Sequence, residues 1–121
     1  EIVRPKAIRI GSQIQQTAGR AYKGGVKIAF GTDMGVGPHG DNAREFLYMT
    51  EAGIPAAYTL QSATIHAATV LGVDDQGVIE AGKRADIIAL PGDPVADISN
   101  VMKVDFVMKD GLVYREPAKV E

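Results

Sequence analysis

The run Val26-Lys27-Ile28-Ala29-Phe30 stops abruptly at Gly31-Thr32-Asp33 and passes into Met34-Gly35-Val36-Gly37-Pro38-His39-Gly40-Asp41-Asn42. A short apolar stretch of β-branched and aromatic residues reads as a buried strand, and a loop so rich in glycine, with a proline inside it, does not continue one. The expectation is a strand over 26–31 that delivers a single carboxylate, Asp33, to its carboxyl end. Open α/β sheets and α/β barrels keep their chemistry at that end of their strands. Asp33 is therefore the first candidate for a functional side chain.

The flanking sequence suits an α/β pattern. Between Pro5 and Tyr22, apolar residues Ala7, Ile8, Ile14, Ala18, Ala21 and Tyr22 recur at helical spacing, and Gly24-Gly25 ends the run. A second helix is expected from about Ala43 to Ala52. Asp41 or Asn42 is its candidate cap, Glu45 completes a capping box, Phe46, Leu47 and Met49 form its apolar face, and Gly53 closes it. A third helical segment runs from Pro55 to Leu71-Gly72, with Leu60, Ala63, Ala67 and Leu71 as an inward stripe. Thr64-Ile65-His66 is its expected interruption, because β-branched residues stiffen a helix.

Beyond Gly72 the composition changes. Val78-Ile79-Glu80, residues 85–90, residues 104–108 and Leu112-Val113-Tyr114 are short β-rich runs separated by turn residues. Asp110-Gly111 is the strongest hairpin signal among them. A helical turn is expected over 97–103. One strand among helices followed by three or four short strands closes no sheet, and a sheet so small leaves its edges exposed. The chain reads as the end of a larger fold, or as one completed by pairing with another chain.

Composition narrows the chemistry. With 121 residues, 45% of them hydrophobic and 23% charged, the chain has the make-up of one globular domain rather than of a disordered segment. A net charge of −2 with thirteen scattered basic residues gives no surface for nucleic acid or an anionic membrane. Cysteine is absent, which excludes disulfides, thiolate nucleophiles and cysteine-held zinc. No stretch has the length of a membrane span, and the opening residues lack the pattern of a signal peptide, so a cytoplasmic location is the expectation.

Ile28-Ala29-Phe30-Gly31-Thr32-Asp33 together with Pro38-His39-Gly40-Asp41-Asn42 resembles the eighth barrel strand and following loop of the amidohydrolase superfamily, in its prolidase-like and imidazolonepropionase-like branch. Leu60-Gln61-Ser62-Ala63-Thr64 and Ala67 to Leu71-Gly72 resemble the helix after that strand. Gly77-Val78-Ile79-Glu80-Ala81-Gly82-Lys83-Arg84-Ala85-Asp86-Ile87 is similar to the signature by which such chains return to a small β-sandwich, and 107–113 resembles its final hairpin.

The resemblance implies an α/β fold: residues 1–72 as the last helix-strand-helix units of a (β/α)₈ barrel, and 73–121 as carboxyl-terminal strands of the sandwich. It also implies one or two divalent metals, zinc first among them, at the barrel's carboxyl end. Of the ligands found in such enzymes only the last aspartate maps here, onto Asp33. No His-x-His pair is present, and His39 and His66 match none of the ligand positions. The implied enzyme hydrolyses a C–N bond in a small substrate, an Xaa-Pro dipeptide or an N-acyl amino acid.

In that enzyme Asp33 is a metal ligand and the carrier of a proton from water to the leaving amine. The bland alternative is an aspartate that only caps a turn. His39, in the adjoining loop, is the candidate substrate contact, against an ordinary solvated loop histidine. His66 reads as a capping or packing residue. The glycines at 31, 35, 37 and 40 fit neither a P-loop nor a dinucleotide fingerprint and are read as turn geometry. One carboxylate does not hold zinc, so the chain by itself is expected to be metal-free and inactive. Its expected partners are a small-molecule substrate and either other copies or the remainder of the same enzyme. The competing reading, from another class, is a non-catalytic module that folds or assembles by strand exchange.

Overall fold

The computed structural model describes residues 3–35 and 37–117, with side chains from residue 10 onward. Four helices are followed by one three-stranded antiparallel sheet: α1 (Val3–Lys23), α2 (Arg44–Glu51), α3 (Ala56–Ser62), α4 (Ile65–Leu71), β1 (Ile87–Ala89), β2 (Phe106–Lys109) and β3 (Leu112–Arg115). Short 3₁₀ turns occupy Asp41–Ala43 and Ile98–Lys103. The sheet order is β1-β2-β3, with Ile88 opposite Val107 and Met108 opposite Val113.

Glycine followed by a β-branched residue terminates three of the helices. At the end of α2, Gly53 takes a positive φ of 88°, its N–H reaches the Thr50 carbonyl, and the Ile54 N–H reaches back to Met49 at 3.1 Å. This is the Schellman arrangement, in which the residue after the glycine also packs against the last turn. Ile54 and Met49 are accordingly among the most buried apolar residues, at 1% and 5% exposure. Gly25-Val26 and Gly72-Val73 end α1 and α4 with the same pair of backbone bonds, Val26 N–H to Ala21 and Val73 N–H to Ala68. Arg20 and Lys23 complement the carboxyl end of α1.

The interruption expected at 64–66 is present. Thr64 leaves helical geometry (φ −122°, ψ −96°), and its hydroxyl donates to the Leu60 carbonyl at 3.0 Å, competing with the backbone of α3. The break resets the helical phase, so the inward residues are Thr59, Ser62 and Ala68, not the expected stripe; Leu71 is 73% exposed. On α1, the expected Ile14 is 66% exposed, and the side chains of Ala7 and Ile8 lie outside the described residues.

Three other expectations are corrected. Residues 26–31 form no strand, because the strands among the described residues are already committed to the β1–β3 sheet and no ladder partner is at hand. Val78-Ile79-Glu80 forms none for the same reason, and Ile79 stands 85% exposed. Neither Asp41 nor Asn42 caps α2 and no capping box forms; Asp41 instead pairs with Arg44 at 3.3 Å and Asn42 bonds backwards. The turn over 97–103 is as expected, with the Asp97 carboxylate accepting the Ser99 N–H at 2.9 Å. The Asp110-Gly111 hairpin is also present, both residues at positive φ.

Helices α1 and α2 cross so closely that a β-carbon on Gly19 would collide with the Ala52 carbonyl oxygen. Gln15 fastens the crossing, donating to the Tyr48 carbonyl at 3.1 Å and to the Glu51 carboxylate at 3.0 Å. At the other end of the chain, Gly82-Lys83-Arg84-Ala85-Asp86 works as a clasp. Arg84 pairs with Asp75 at 2.7 Å and Asp110 at 3.6 Å, Lys83 donates to the Asp74 carbonyl, and Asp86 accepts the Asp110 N–H at 2.8 Å. One segment thus joins the 74–75 bend to the final hairpin.

The buried apolar side chains among the described residues are Met49, Ile54, Ala68 and Val101. That is a small core for a chain of this length. Large apolar side chains remain open on the sheet, including Ile88 at 58%, Leu112 at 65% and Tyr114 at 70%.

Two outcomes follow for stability. Gly19→Ala, despite the roughly 1 kcal/mol that alanine gains in a helix, is expected to lower unfolding free energy by about 1–3 kcal/mol in urea titrations, because α1 and α2 must separate. The Asp75 carboxyl is held below its usual range, first by the hydrogen bond from Arg84 and then by its charge. A depressed pKa contributes stability that is present above the ordinary aspartate value of about 3.9 and is lost as pH falls through the lowered one. Asp75→Asn is therefore expected to flatten that acid limb and leave the curve near pH 8 with the same slope.

Candidate functional site

Asp33 stands at the end of the 26–33 segment. That segment is seated from one side: the Ile28 N–H donates to the Tyr58 hydroxyl at 3.0 Å and the Phe30 N–H to the Ser62 carbonyl at 3.0 Å. Two amides two residues apart thus address the same helix, α3, which is the alternation of a strand. The Phe30 ring stacks on Phe46 of α2, with centroids 4.4 Å apart. Ile28, Ala29 and Phe30 are half-buried, whereas Asp33 is exposed.

The backbone of Asp33 is left-handed (φ 45°), and its carbonyl accepts the Gly35 N–H at 2.8 Å. Aspartate is one of the few non-glycine residues that visit this region, at a cost of about 1–2 kcal/mol. Such a conformation persists where the surroundings fix both flanks. Upstream, Phe30 is held by α2 and α3. Downstream, Asn42 donates to the Thr32 hydroxyl at 3.1 Å, and its carbonyl accepts the Gly40 N–H at 3.4 Å. A pocket of about 220 Å³ opens between this loop and α2, lined by Thr32, Met34, Asn42, Arg44, Glu45 and Tyr48 among others; Asp33 itself does not line it.

His39 is exposed in the turn after Pro38, on the loop that Asp33 begins. Among the described residues, neither the His39 ring nor the Asp33 carboxylate is hydrogen-bonded or ion-paired to another group. His66 lies elsewhere: its ring packs against Tyr58, centroids 4.9 Å apart, with Nδ1 buried and unpaired, and it makes no cap. The packing half of the reading for His66 holds. Sequence reasoning missed the tie from Asn42 to Thr32, since an asparagine before a helix reads as a cap and nothing in its spacing points back to the 26–33 segment.

Among the described residues, no three His, Asp or Glu side chains converge to hold a metal ion. A catalytic divalent centre takes about three protein ligands. Glu45 of α2 lines both the loop pocket and the larger cleft of about 310 Å³ between α1 and α2. Burial pushes its carboxyl above the usual range.

The model of the amidohydrolase family matches residues 3–113. The chain belongs to the amidohydrolase family. Among solved structures of this family and its relatives, an Xaa-Pro dipeptidase with methionine bound in its active site is 55% identical, with a TM-score of 0.88 over 95% of this chain. A prolidase in complex with N-methylphosphonate-L-proline is 29% identical, with a TM-score of 0.77 over 84% of this chain. A putative prolidase from Bifidobacterium longum is 32% identical, with a TM-score of 0.75 over 85% of it. This amidohydrolase chain spans 29%, 26% and 27% of their respective lengths, less than a third in each case. No curated protein sequence matches it. No described helix is long and apolar enough to cross a membrane.

The sign for Glu45 runs opposite to that for Asp75. A raised carboxyl pKa contributes stability that is fully present below the ordinary glutamate value of about 4.3 and is lost as pH rises through the folded one. Glu45→Gln is expected to remove that decline above the ordinary glutamate range in pH-resolved urea unfolding, and an unchanged slope would place the carboxylate in open water.

Proposed function

We propose that this chain is the carboxyl-terminal segment of a metal-dependent amidohydrolase that cleaves the C–N bond of an Xaa-Pro dipeptide, or of an N-acyl amino acid of similar size. Residues 1–72 complete the last units of its (β/α)₈ barrel and 73–121 supply strands of its small β-sandwich. The observation that carries the reading is the 55% identity and TM-score of 0.88 to an Xaa-Pro dipeptidase along 95% of the chain. The one-sided seating of 26–33 supports it. With Ile28 and Phe30 bonded toward α3, the N–H groups of Lys27, Ala29 and Gly31 point to the opposite flank and have no partner among the described residues. A neighbouring barrel strand is what such a flank takes.

Asp33 carries the chemistry in this reading. Its carboxylate accepts a proton from the attacking water as the new C–O bond forms, then delivers that proton to the amine nitrogen as the C–N bond breaks. The products are a carboxylate and a free amine. Asp33 also supplies one ligand of a zinc or other divalent centre whose remaining ligands lie in polypeptide beyond this chain; a bound metal provides Lewis-acid polarisation of the scissile carbonyl. His39 contacts the substrate from the rim of the loop. The segment by itself is inactive, since it brings one ligand where about three are needed.

The test uses the complete polypeptide that carries this segment, with methionyl-proline as substrate. Asp33→Asn, which keeps the shape and removes the base, is expected to lower kcat by about 10²–10⁴-fold while the protein remains folded by circular dichroism. The 121-residue chain alone is expected to release no proline. Full activity in the Asp33→Asn protein, or turnover by the isolated chain, contradicts the assignment.

A further inference from the structure

The Asn42 carboxamide lies between the two ends of the Asp33 loop. Its donor and acceptor assignments are fixed by its neighbours: the Gly40 N–H only donates, so the amide oxygen faces Gly40 at 3.4 Å. The amide nitrogen therefore faces Thr32, whose hydroxyl accepts at 3.1 Å. Thr32 is the residue immediately before Asp33, and Gly40 lies near the far end of the same loop. One side chain thus closes the loop across its base.

Asn42 is itself well founded. It sits in the 3₁₀ turn Asp41–Ala43 that leads directly into α2. That helix is anchored by buried Met49 and by Phe46 stacked on Phe30, the residue that also bonds α3. The end of the 26–33 segment and the start of α2 are therefore fixed relative to each other by a ring stack two residues from Thr32 and by the Asn42 bridge at Thr32. Between them Asp33 holds a left-handed backbone, a conformation uncommon outside glycine that aspartate adopts at a modest cost. The loop from Met34 to Gly40 has three glycines among its residues and adds, among the described residues, the Gly35 N–H bond to the Asp33 carbonyl.

We propose that Asn42 is a positioning residue for Asp33, its carboxamide tying Thr32 to Gly40 so that the carboxylate is presented in one orientation at the loop mouth. The inference rests on the reading of Asp33 as the proton carrier. It concerns the placement of that carboxylate and does not require Asn42 or Thr32 to touch substrate. An exposed side-chain hydrogen bond contributes little to global stability, so a merely structural role would leave turnover untouched. A positioning role moves kcat out of proportion to stability.

The experiment is carried out on the complete polypeptide with methionyl-proline. Asn42→Leu removes both hydrogen bonds at similar volume, and Thr32→Val removes only the hydroxyl. Each is expected to lower kcat by about 10- to 100-fold with KM changed less than about twofold. The double variant is expected to be no slower than the slower single one, because both remove the same tie. Thr32→Ser, which restores the hydroxyl, is expected to recover the rate lost in Thr32→Val. Independently of turnover, hydrogen exchange followed by mass spectrometry on the metal-free protein is expected to show the 33–41 peptide exchanging faster in both single variants than in the wild type.

Should Asn42→Leu fail to fold, Thr32→Val reads the same tie with a smaller change. Unchanged kcat and unchanged loop exchange, or losses that multiply in the double variant, overturn the proposal. The two levels separate cleanly: an inactive Asp33→Asn beside fully active Asn42→Leu and Thr32→Val sinks only the positioning role, whereas an active Asp33→Asn sinks the reading of Asp33 and the positioning role with it.

Discussion

An extended backbone offers N–H groups on two flanks, and among the described residues the 26–31 segment finds protein partners on one flank only. Ile28 and Phe30 turn their N–H groups to Tyr58 and Ser62 of α3. The intervening amides face away from that helix. Everything else in the first seventy residues is arranged about this seat. Helix α1 delivers the chain to it through the Gly25 turn, α2 lays Phe46 on Phe30, and α3 offers the two acceptors. Asp33 is exposed at its tip because the segment ends where that support ends. In the complete amidohydrolase proposed above, the open flank is where the neighbouring strand lies.

The second half of the chain holds together by different means. With few buried apolar side chains, its geometry is set by hydrogen bonds and charge pairs at Lys83, Arg84 and Asp86. These are exposed interactions, screened by water and individually weak. Their value lies in register: the clasp fixes where the hairpin stands relative to the 74–75 bend, and β1 and β2 pair accordingly. The sheet it organises keeps open apolar residues such as Ile88 and Leu112, a surface suited to being covered by further strands.

Much of this was legible in the residues. Helix ends were readable because glycine at 25, 53 and 72 has a conformational reason to be there, and the hairpin because Asp110-Gly111 accepts positive φ at both positions. The break at Thr64 followed from a β-branched hydroxyl residue inside a helical pattern. The strand at 26–31 was not realised, because local composition sets the preference for extended backbone while pairing depends on a partner distant in sequence. The role of Asn42 was hidden for a related reason. Capping is a local rule, and it lost to a bond across the loop to Thr32. Glu45 was misread in the same way: it completes no capping box and lines the clefts on both sides of α2.

The central claim, that 26–31 is a barrel strand with one flank waiting for its neighbour, is tested most directly by residue-resolved amide hydrogen exchange. The comparison is between the 121-residue chain and the complete polypeptide. The expected result is that Lys27, Ala29 and Gly31 exchange freely in the isolated chain and become strongly protected in the complete polypeptide, while Ile28 and Phe30 are protected in both. Equal, fast exchange of Lys27, Ala29 and Gly31 in the complete polypeptide would mean that no strand ever pairs there, and would contradict the claim.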